Sequence, residues 1–246
     1  MPDRFAIPDP RPLALTVRDR APLTPLLARI TLGGDDLVGF EHAPGQDVMV
    51  AVPTGDATIN RRYTIRRADP HVGTLDLDVV VHGDGPGARW ARDVAIGSPI
   101  AAVGPRGKVV PVGDVDWHLF VCDESGWAAT ASMVAALDPG ELALVVAETA
   151  GPEEHQELAG TAEVVLVRCD RGGAAPGDPA ALTAAVAALE LPAGRGHAYL
   201  SAEFAVVRAL GADLAARGVG GDQVSPKAYW RRGESNAAHG EPRRES

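Results

Sequence analysis

The stretch W-H-L-F-V-C-D-E-S-G-W-A-A-T-A-S-M-V-A-A-L, residues 117–137, divides this chain into two kinds of fold. Trp117 to Cys122 is a short, wholly apolar run ending in polar residues, which predicts a strand buried on both faces. Trp127 to Leu137 is alanine-rich and long enough to predict a helix. The alternation then repeats: a strand over Leu142 to Glu148, a short polar helix, and a strand over Val164 to Arg168. A helix near Pro179 to Leu189, a strand over Ala198 to Ser201 and a helix over Phe204 to Arg217 complete it. Strand and helix in alternation imply a parallel sheet covered on both faces.

Upstream of Trp117 the period differs. Leu13–Arg20, Leu26–Leu32, Asp47–Val52, Arg61–Arg66, Leu75–His82 and Pro99–Val103 are short runs rich in Val, Ile and Leu, separated by Gly, Pro and Asp. The run L-D-L-D-V-V-V-H at 75–82 opens with the strict alternation of a half-buried strand. Six such strands, with one helical turn over Ala88 to Asp93, predict an antiparallel Greek-key β-barrel. The chain therefore reads as a barrel domain over 1–112, an α/β domain over 113–233 and a disordered polar tail over 234–246. A Gly- and Pro-punctuated linker at 107–116 joins the domains.

Composition narrows the function. At 246 residues and 46% hydrophobic, the chain can build two cores, and 23% charged residues do not describe a disordered protein. A formal net charge of −10 argues against nucleic acid as a partner. No apolar run is long enough to span a bilayer and no signal-peptide pattern opens the sequence, so a soluble, cytoplasmic protein is expected. Cys122 and Cys169 lie far apart with no His or Cys at ligand spacing, so neither a metal site nor a disulfide framework is expected. Each ends an apolar run, which suits a small buried side chain.

Aromatic residues are only 4% of the chain, so their clusters carry weight. In R-R-Y-T at 61–64, strand alternation puts Arg61 and Tyr63 on one face and Arg62 and Thr64 on the other. An arginine fork can hold a phosphate and a ring can stack on a flat heterocycle, but an exposed strand with a packed Tyr reads the same way. H-G-D-G-P-G-A-R-W-A at 82–91 is a glycine-rich loop opening a helix. It offers backbone N–H groups to an anion such as a pyrophosphate, or is a plain connection. G-P-R-G at 104–107 predicts a turn, with Arg106 on a phosphate or in solvent.

C-D-E-S-G at 122–126 ends the first strand of the second half, where open parallel sheets bind nucleotides, although the three spaced glycines of a dinucleotide fingerprint are missing. Asp123, Glu124 and Ser125 there also suit capping of the next helix. In K-A-Y-W-R-R-G at 227–233, Tyr229 or Trp230 can cover a flat ring while Lys227, Arg231 and Arg232 attract an anion; a final edge strand is the alternative.

Taken in order, these motifs resemble the siderophore-interacting protein family of the ferredoxin–NADP reductase superfamily. Its Arg-x-Tyr-Thr-x-Arg is matched by Arg61, Tyr63, Thr64 and Arg66. Its His-Gly…Gly-Pro…Trp-Ala is matched by His82, Gly83, Gly85, Pro86, Trp90 and Ala91. Gly-Pro-Arg-Gly, Asp-Glu and Tyr-Trp-Arg-x-Gly follow at 104–107, at Asp123 with Glu124, and at Tyr229, Trp230, Arg231 and Gly233.

The resemblance implies FAD on the barrel, with Arg61 on its pyrophosphate, Tyr63 and Thr64 at the isoalloxazine, and the loop from His82 through Gly85 and Ala88 to Trp90 around the phosphates. It implies NAD(P)H at the second domain, near Asp123, Glu124, Glu203, Tyr229 and Trp230. The electrons pass to a ferric siderophore near Lys227, Arg231 and Arg232, and iron leaves as Fe(II). No catalytic residue or protein metal ligand is implied, and oligomeric state and coenzyme choice stay open; Arg168 or Arg171 is a candidate for an extra phosphate.

The departures gather in the second domain. S-G-W-A-A at 125–129 lacks the family's helix proline, and Tyr199-Leu200-Ser201-Ala202-Glu203 stands where the family has Trp and then Ala-Gly-Glu. Two other readings follow: a flavin reductase with a different electron acceptor, or a non-catalytic flavin- or siderophore-binding module.

Overall fold

The computed structural model describes residues 4–55 and 57–234. Of the tail expected over 234–246, Glu234 is described and forms a bridge with Arg231, and the rest lies outside the described residues. The chain divides into two compact units, one through Pro111 and one from Val112.

The first unit is a closed antiparallel barrel of six strands: β1 (Arg11–Thr24), β2 (Leu27–Gly33), β3 (Asp47–Thr54), β4 (Ala57–Asp69), β5 (Thr74–Val80) and β6 (Pro99–Arg106). Their order around the barrel is β1-β2-β5-β4-β3-β6, and β1 pairs with both β2 and β6, so no edge is left open. Period-2 patterning builds it. Leu75, Leu77 and Val79 of β5 enter the core beside Val48, Val50 and Val52 of β3 and Leu13, Leu15 and Val17 of β1. The intervening Asp76 and Asp78 face outward and are paired with arginines. Helix α1 (Pro86–Asp93) adds Trp90 and Ala91 to the same core, and its proline stands in the first turn, where no N–H is needed.

Two expectations for this unit change. G-P-R-G is not a turn at 104: β6 continues to Arg106, pairing Gly104 with Arg11 and Arg106 with Asp47. Gly104 is there for space, since a Cβ would lie 2.6 Å from the Val48 side chain. The turn comes only at Gly107, with φ of 97°. Strand β4 also runs well beyond Arg61–Arg66 at both ends.

The second unit is a five-stranded parallel sheet in the order β11-β10-β7-β8-β9. Its strands are β7 (Trp117–Cys122), β8 (Leu142–Thr149), β9 (Glu163–Asp170), β10 (Gly196–Glu203) and β11 (Val224–Trp230). Helices α3 (Pro179–Ala188) and α4 (Phe204–Ala216) pack on one face, through Leu182, Val186, Val206, Leu210 and Leu214 against Leu119, Val121 and Leu200. Helix α2 (Trp127–Val134) covers Cys122 and Ala147 on the other face. Every residue of α2 is buried, which suits its small, mostly apolar side chains.

Helix α2 stops at Val134 rather than Leu137, and the polar helix after β8 is a single 3-10 turn, Pro152–Glu154. The 227–233 cluster includes the end of an edge strand, β11. Cys169 is only half-buried, because β9 is the other edge. No helix among the described residues is long and apolar enough to cross a membrane.

Candidate flavin and nucleotide sites

In the barrel, two motifs far apart in sequence converge. Arg61 and Tyr63 share a face of β4 opposite Val50 and Val48, and Tyr63 packs against the core. Helix α1 approaches that face. The Tyr63 ring stacks on Trp90 with centroids 5.6 Å apart and planes at 22°. A methyl placed on Gly87 would lie 2.5 Å from the Tyr63 hydroxyl oxygen and 3.9 Å from Arg61 Cγ. Only glycine lets the helix come this near.

Two buried donors in this stack, Tyr63 Oη and Trp90 Nε1, have no hydrogen-bond partner among the described residues. Burial pushes the Tyr63 phenol well above its usual range despite Arg61 nearby, so it stays protonated as a donor. Gly87 and Ala88 lie in the first turn of α1, where backbone N–H groups have no intrahelical acceptor. Unpaired donors, a helix N-terminus and an arginine beside them suit an anionic, flat cofactor such as FAD.

The loop leading into α1 is braced from below. Arg92 Nη1 donates to the carbonyls of Val81 and Gly83, both at 2.7 Å, and Arg89 to that of Asp84. His82 and Gly85 are exposed on this loop, and Ala88 is buried beneath it. The motif reading missed Arg92; its only sequence signal is a basic residue in the last helical turn.

Thr64 and Arg66 do not join this group. Thr64 is buried on the opposite face of β4, across from Asp47, which holds Arg62 by two bonds of 2.6 and 3.0 Å. A bulge between Ile65 and Arg67 turns both Arg66 and Arg67 outward. Arg66 lies 3.9 Å from Asp78, which Arg29 grips with two bonds, while Arg67 and Thr31 hold Asp76. Burial pulls the Arg66 guanidinium below its ordinary value, with Asp78 opposing and Arg29 and Arg67 adding to the burial effect.

In the second unit, three more motifs meet at the carboxyl ends of β7, β10 and β11. Asp123 Oδ2 accepts from Trp230 Nε1 at 2.9 Å and from the Glu203 N–H at 3.1 Å. Its Oδ1 accepts from the N–H groups of Ser125 and Gly126. Burial raises the Asp123 carboxyl above its usual range, opposed by its bonds from Ser125 and Trp230.

The capping expectation is corrected here. The N-cap of α2 is Gly126 with no side-chain bond, because a Cβ at 126 would lie 1.9 Å from the Ser201 carbonyl oxygen. Capping occurs instead at α4, where the Glu203 carboxylate accepts from Ala205 and Val206 and also from the Arg232 N–H. Glu124 is bound to Arg171.

Lys227 is buried on β11 opposite Ser201, its ammonium 5.0 Å from the Tyr229 ring centre. Arg231 stacks over Phe204 at 3.9 Å and pairs with Glu234, and Arg232 reaches the Pro176 carbonyl. The departure at Ala202 lies inside the apolar cluster under α3 and α4, where its methyl is accommodated. Among the described residues no group of three or more His, Cys, Asp or Glu is arranged to hold a metal ion.

A closed antiparallel barrel followed by a five-stranded parallel sheet is the ferredoxin reductase type of fold. Residues 43–109 match the siderophore-interacting FAD-binding domain and residues 115–233 the siderophore-interacting protein domain. This chain belongs to the siderophore-interacting protein family.

An uncharacterised protein of Mycobacterium tuberculosis is 32% identical over 77% of this chain and 71% of its own length. The ferric vibriobactin reductase ViuB of Vibrio cholerae is 29% identical over 88% of both chains. The NADPH-dependent ferric-chelate reductase of Escherichia coli is 28% identical over 82% of this chain and 86% of its own. A crystal structure of a siderophore utilization protein from T. fusca superposes with a TM-score of 0.86 at 29% identity, covering 95% of this chain and 98% of that one.

Proposed function

We propose that this protein is an FAD-dependent, NAD(P)H-using ferric-siderophore reductase that releases iron as Fe(II). One observation carries the reading. Arg61, Tyr63, Gly87 and Trp90 form a cradle with two unpaired buried donors, within the segment that matches a siderophore-interacting FAD-binding domain. Relatives of nearly full length named as ferric vibriobactin and ferric-chelate reductases support the substrate class.

FAD, when bound, supplies the step between a two-electron hydride donor and one-electron ferric acceptors. The residues of the chain bind and orient. Arg61 and the first turn of α1 would take the pyrophosphate, Arg92 keeps the glycine loop in shape, and the Tyr63–Trp90 pair would exclude water and offer its donors to the ring system. The strand ends around Asp123 and Glu203 shape the nucleotide side, with Tyr229 and Trp230 flanking it. Lys227, Arg231 and Arg232 supply positive charge for an anionic chelate in an otherwise acidic protein. Fe(II) binds hard oxygen ligands less tightly than Fe(III), so the chain needs no iron ligands of its own. The cytoplasm, where NAD(P)H is made, is the compartment that fits.

The test begins with an absorption spectrum of purified protein, which is expected to show bound flavin. Anaerobic NADH or NADPH should bleach it, and adding a ferric siderophore with an Fe(II) trap should restore it with trapped iron appearing. A flavin-loaded protein that bleaches but leaves every ferric chelate oxidised would move the reading to a flavin reductase with another acceptor.

A further inference from the structure

In an open parallel sheet a nucleotide lies across the carboxyl ends of the strands. There an acidic group takes the 2′-hydroxyl of the adenosine ribose, whereas a 2′-phosphate needs an available arginine. The β8–β9 side of this sheet ends in Glu148, Thr149, Asp170 and Arg171.

Arg171 looks in sequence like a phosphate ligand, but its guanidinium is caged. Nη1 donates to Glu124 Oε2 at 2.9 Å and Glu148 Oε1 at 3.1 Å, and Nη2 donates to Glu124 Oε1 at 2.6 Å. The arginine side chain is 7% exposed, Glu124 9% and Glu148 2%. One cation that solvent barely reaches is thus shared between two carboxyl groups. Arg168, whose charge also acts on Asp170, is tied by its guanidinium to the Gln156 carbonyl at 3.0 Å and to Glu157 at 3.3 Å. The remaining basic cluster, Arg231 and Arg232, follows β11, at the opposite edge of the sheet.

Asp170 is the reverse case. The Thr149 hydroxyl and His155 Nε2 both meet its Oδ1, at 2.9 and 2.7 Å. Neither contact uses Oδ2, and the side chain is 35% exposed. The hydrogen bond from His155, with help from Thr149, holds the carboxyl below its usual range, so it remains an acceptor at neutral pH.

We propose that this sheet selects NADH over NADPH: Asp170 Oδ2 accepts from the adenosine 2′-hydroxyl, while the Glu124–Arg171–Glu148 cage withholds the cation a 2′-phosphate requires. Discrimination comes from both an attractive and a repulsive element. The inference rests on the reductase reading for its nucleotide.

The experiment compares NADH and NADPH as reductants of FAD-loaded protein by anaerobic stopped flow, alongside calorimetric titration of the oxidised protein with NAD+ and NADP+. NADH and NAD+ are expected to be preferred by about tenfold or more. Asp170→Asn should reduce that preference several-fold by weakening NAD+. Glu148→Gln should reduce it by strengthening NADP+, with NAD+ affected less. Equal or tighter handling of the phosphorylated pair by the unsubstituted protein would overturn the proposal whatever the variants do. Preferential NAD+ binding without flavin reduction would uphold the coenzyme choice and sink the reductase reading instead; no binding of either nucleotide would sink both.

Discussion

The two places where motifs converge are built on opposite principles. Around Asp123, the donors that reach its carboxylate come from the ends of β7, β10 and β11, and a neighbouring carboxylate, Glu203, caps a helix. Around Tyr63, by contrast, a hydroxyl and an indole N–H are buried with no partner among the described residues. A satisfied buried network holds a shape, while an unsatisfied one is costly until something arrives. The first is a frame for strand ends; the second, on the proposed reading, is a cradle for FAD.

The largest expected effect tests the frame. Asp123→Ala leaves Trp230 Nε1 and the Glu203 N–H without their acceptor, and should cost about 3 kcal/mol or more in denaturant unfolding of flavin-free protein. FAD affinity of the folded variant should change little. A loss of FAD binding as large as the loss of stability would erase the contrast.

Next comes the cradle's charge. Arg61→Ala should weaken FAD binding to apoprotein by about 1.5–3 kcal/mol, roughly 10- to 150-fold, measured by quenching of flavin fluorescence. Unchanged retention would mean that Arg61 does not anchor the cofactor.

Gly87→Ala tests the close approach of α1. The added methyl must displace the Tyr63 ring, and overpacking of this kind costs about 1–3 kcal/mol in melting of the FAD-free protein. FAD should bind more weakly too, because the donors move with the ring.

The smallest effect is the sharpest. Tyr63→Phe removes a hydroxyl that has no partner among the described residues, so stability of the flavin-free protein should stay within about 0.5 kcal/mol or rise. FAD affinity should nonetheless fall measurably. A clear loss of apoprotein stability would show that the hydroxyl is already satisfied and that the cradle resembles the frame after all.

Much of the fold is legible in the sequence because local pattern and burial agree. Trp117–Cys122 and the alternation at 75–80 carry their own periodicity, and Pro179 after Asp178 marks a helix start that the Asp178 side chain caps. Strand β11 is harder to read. Pro226 and Lys227 interrupt its apolar character, which only an edge strand tolerates. The strand character of Gly104-Pro105-Arg106 is hidden because the glycine answers to Val48 across the sheet rather than to its own neighbours.

For the sites, residue types could be picked out but their partners could not. Arg61 and Tyr63 meet Gly87 and Trp90 only because β4 and β5 are neighbours and α1 turns back onto the barrel. Asp123 meets Trp230 across 107 residues only because β10 brings their strands together. Spacing in the chain also gives no hint that Arg171 is held between two glutamates.

Barrel closure has one more consequence, for how the chain tolerates insertion. In a ring of six strands every strand is paired on both sides. One residue added ahead of Arg61 in β4 would swap its faces, turning Arg61 and Tyr63 away from α1 and Arg62 and Thr64 toward it. A bulge can take up such a residue: β4 has one between Ile65 and Arg67, and β11 skips a residue beside β10, pairing Ala202 with Ala228 and then Glu203 with Trp230. Beside Arg61 and Tyr63 there is none, because β4 pairs with β3 without a shift from Ala57 to Thr64.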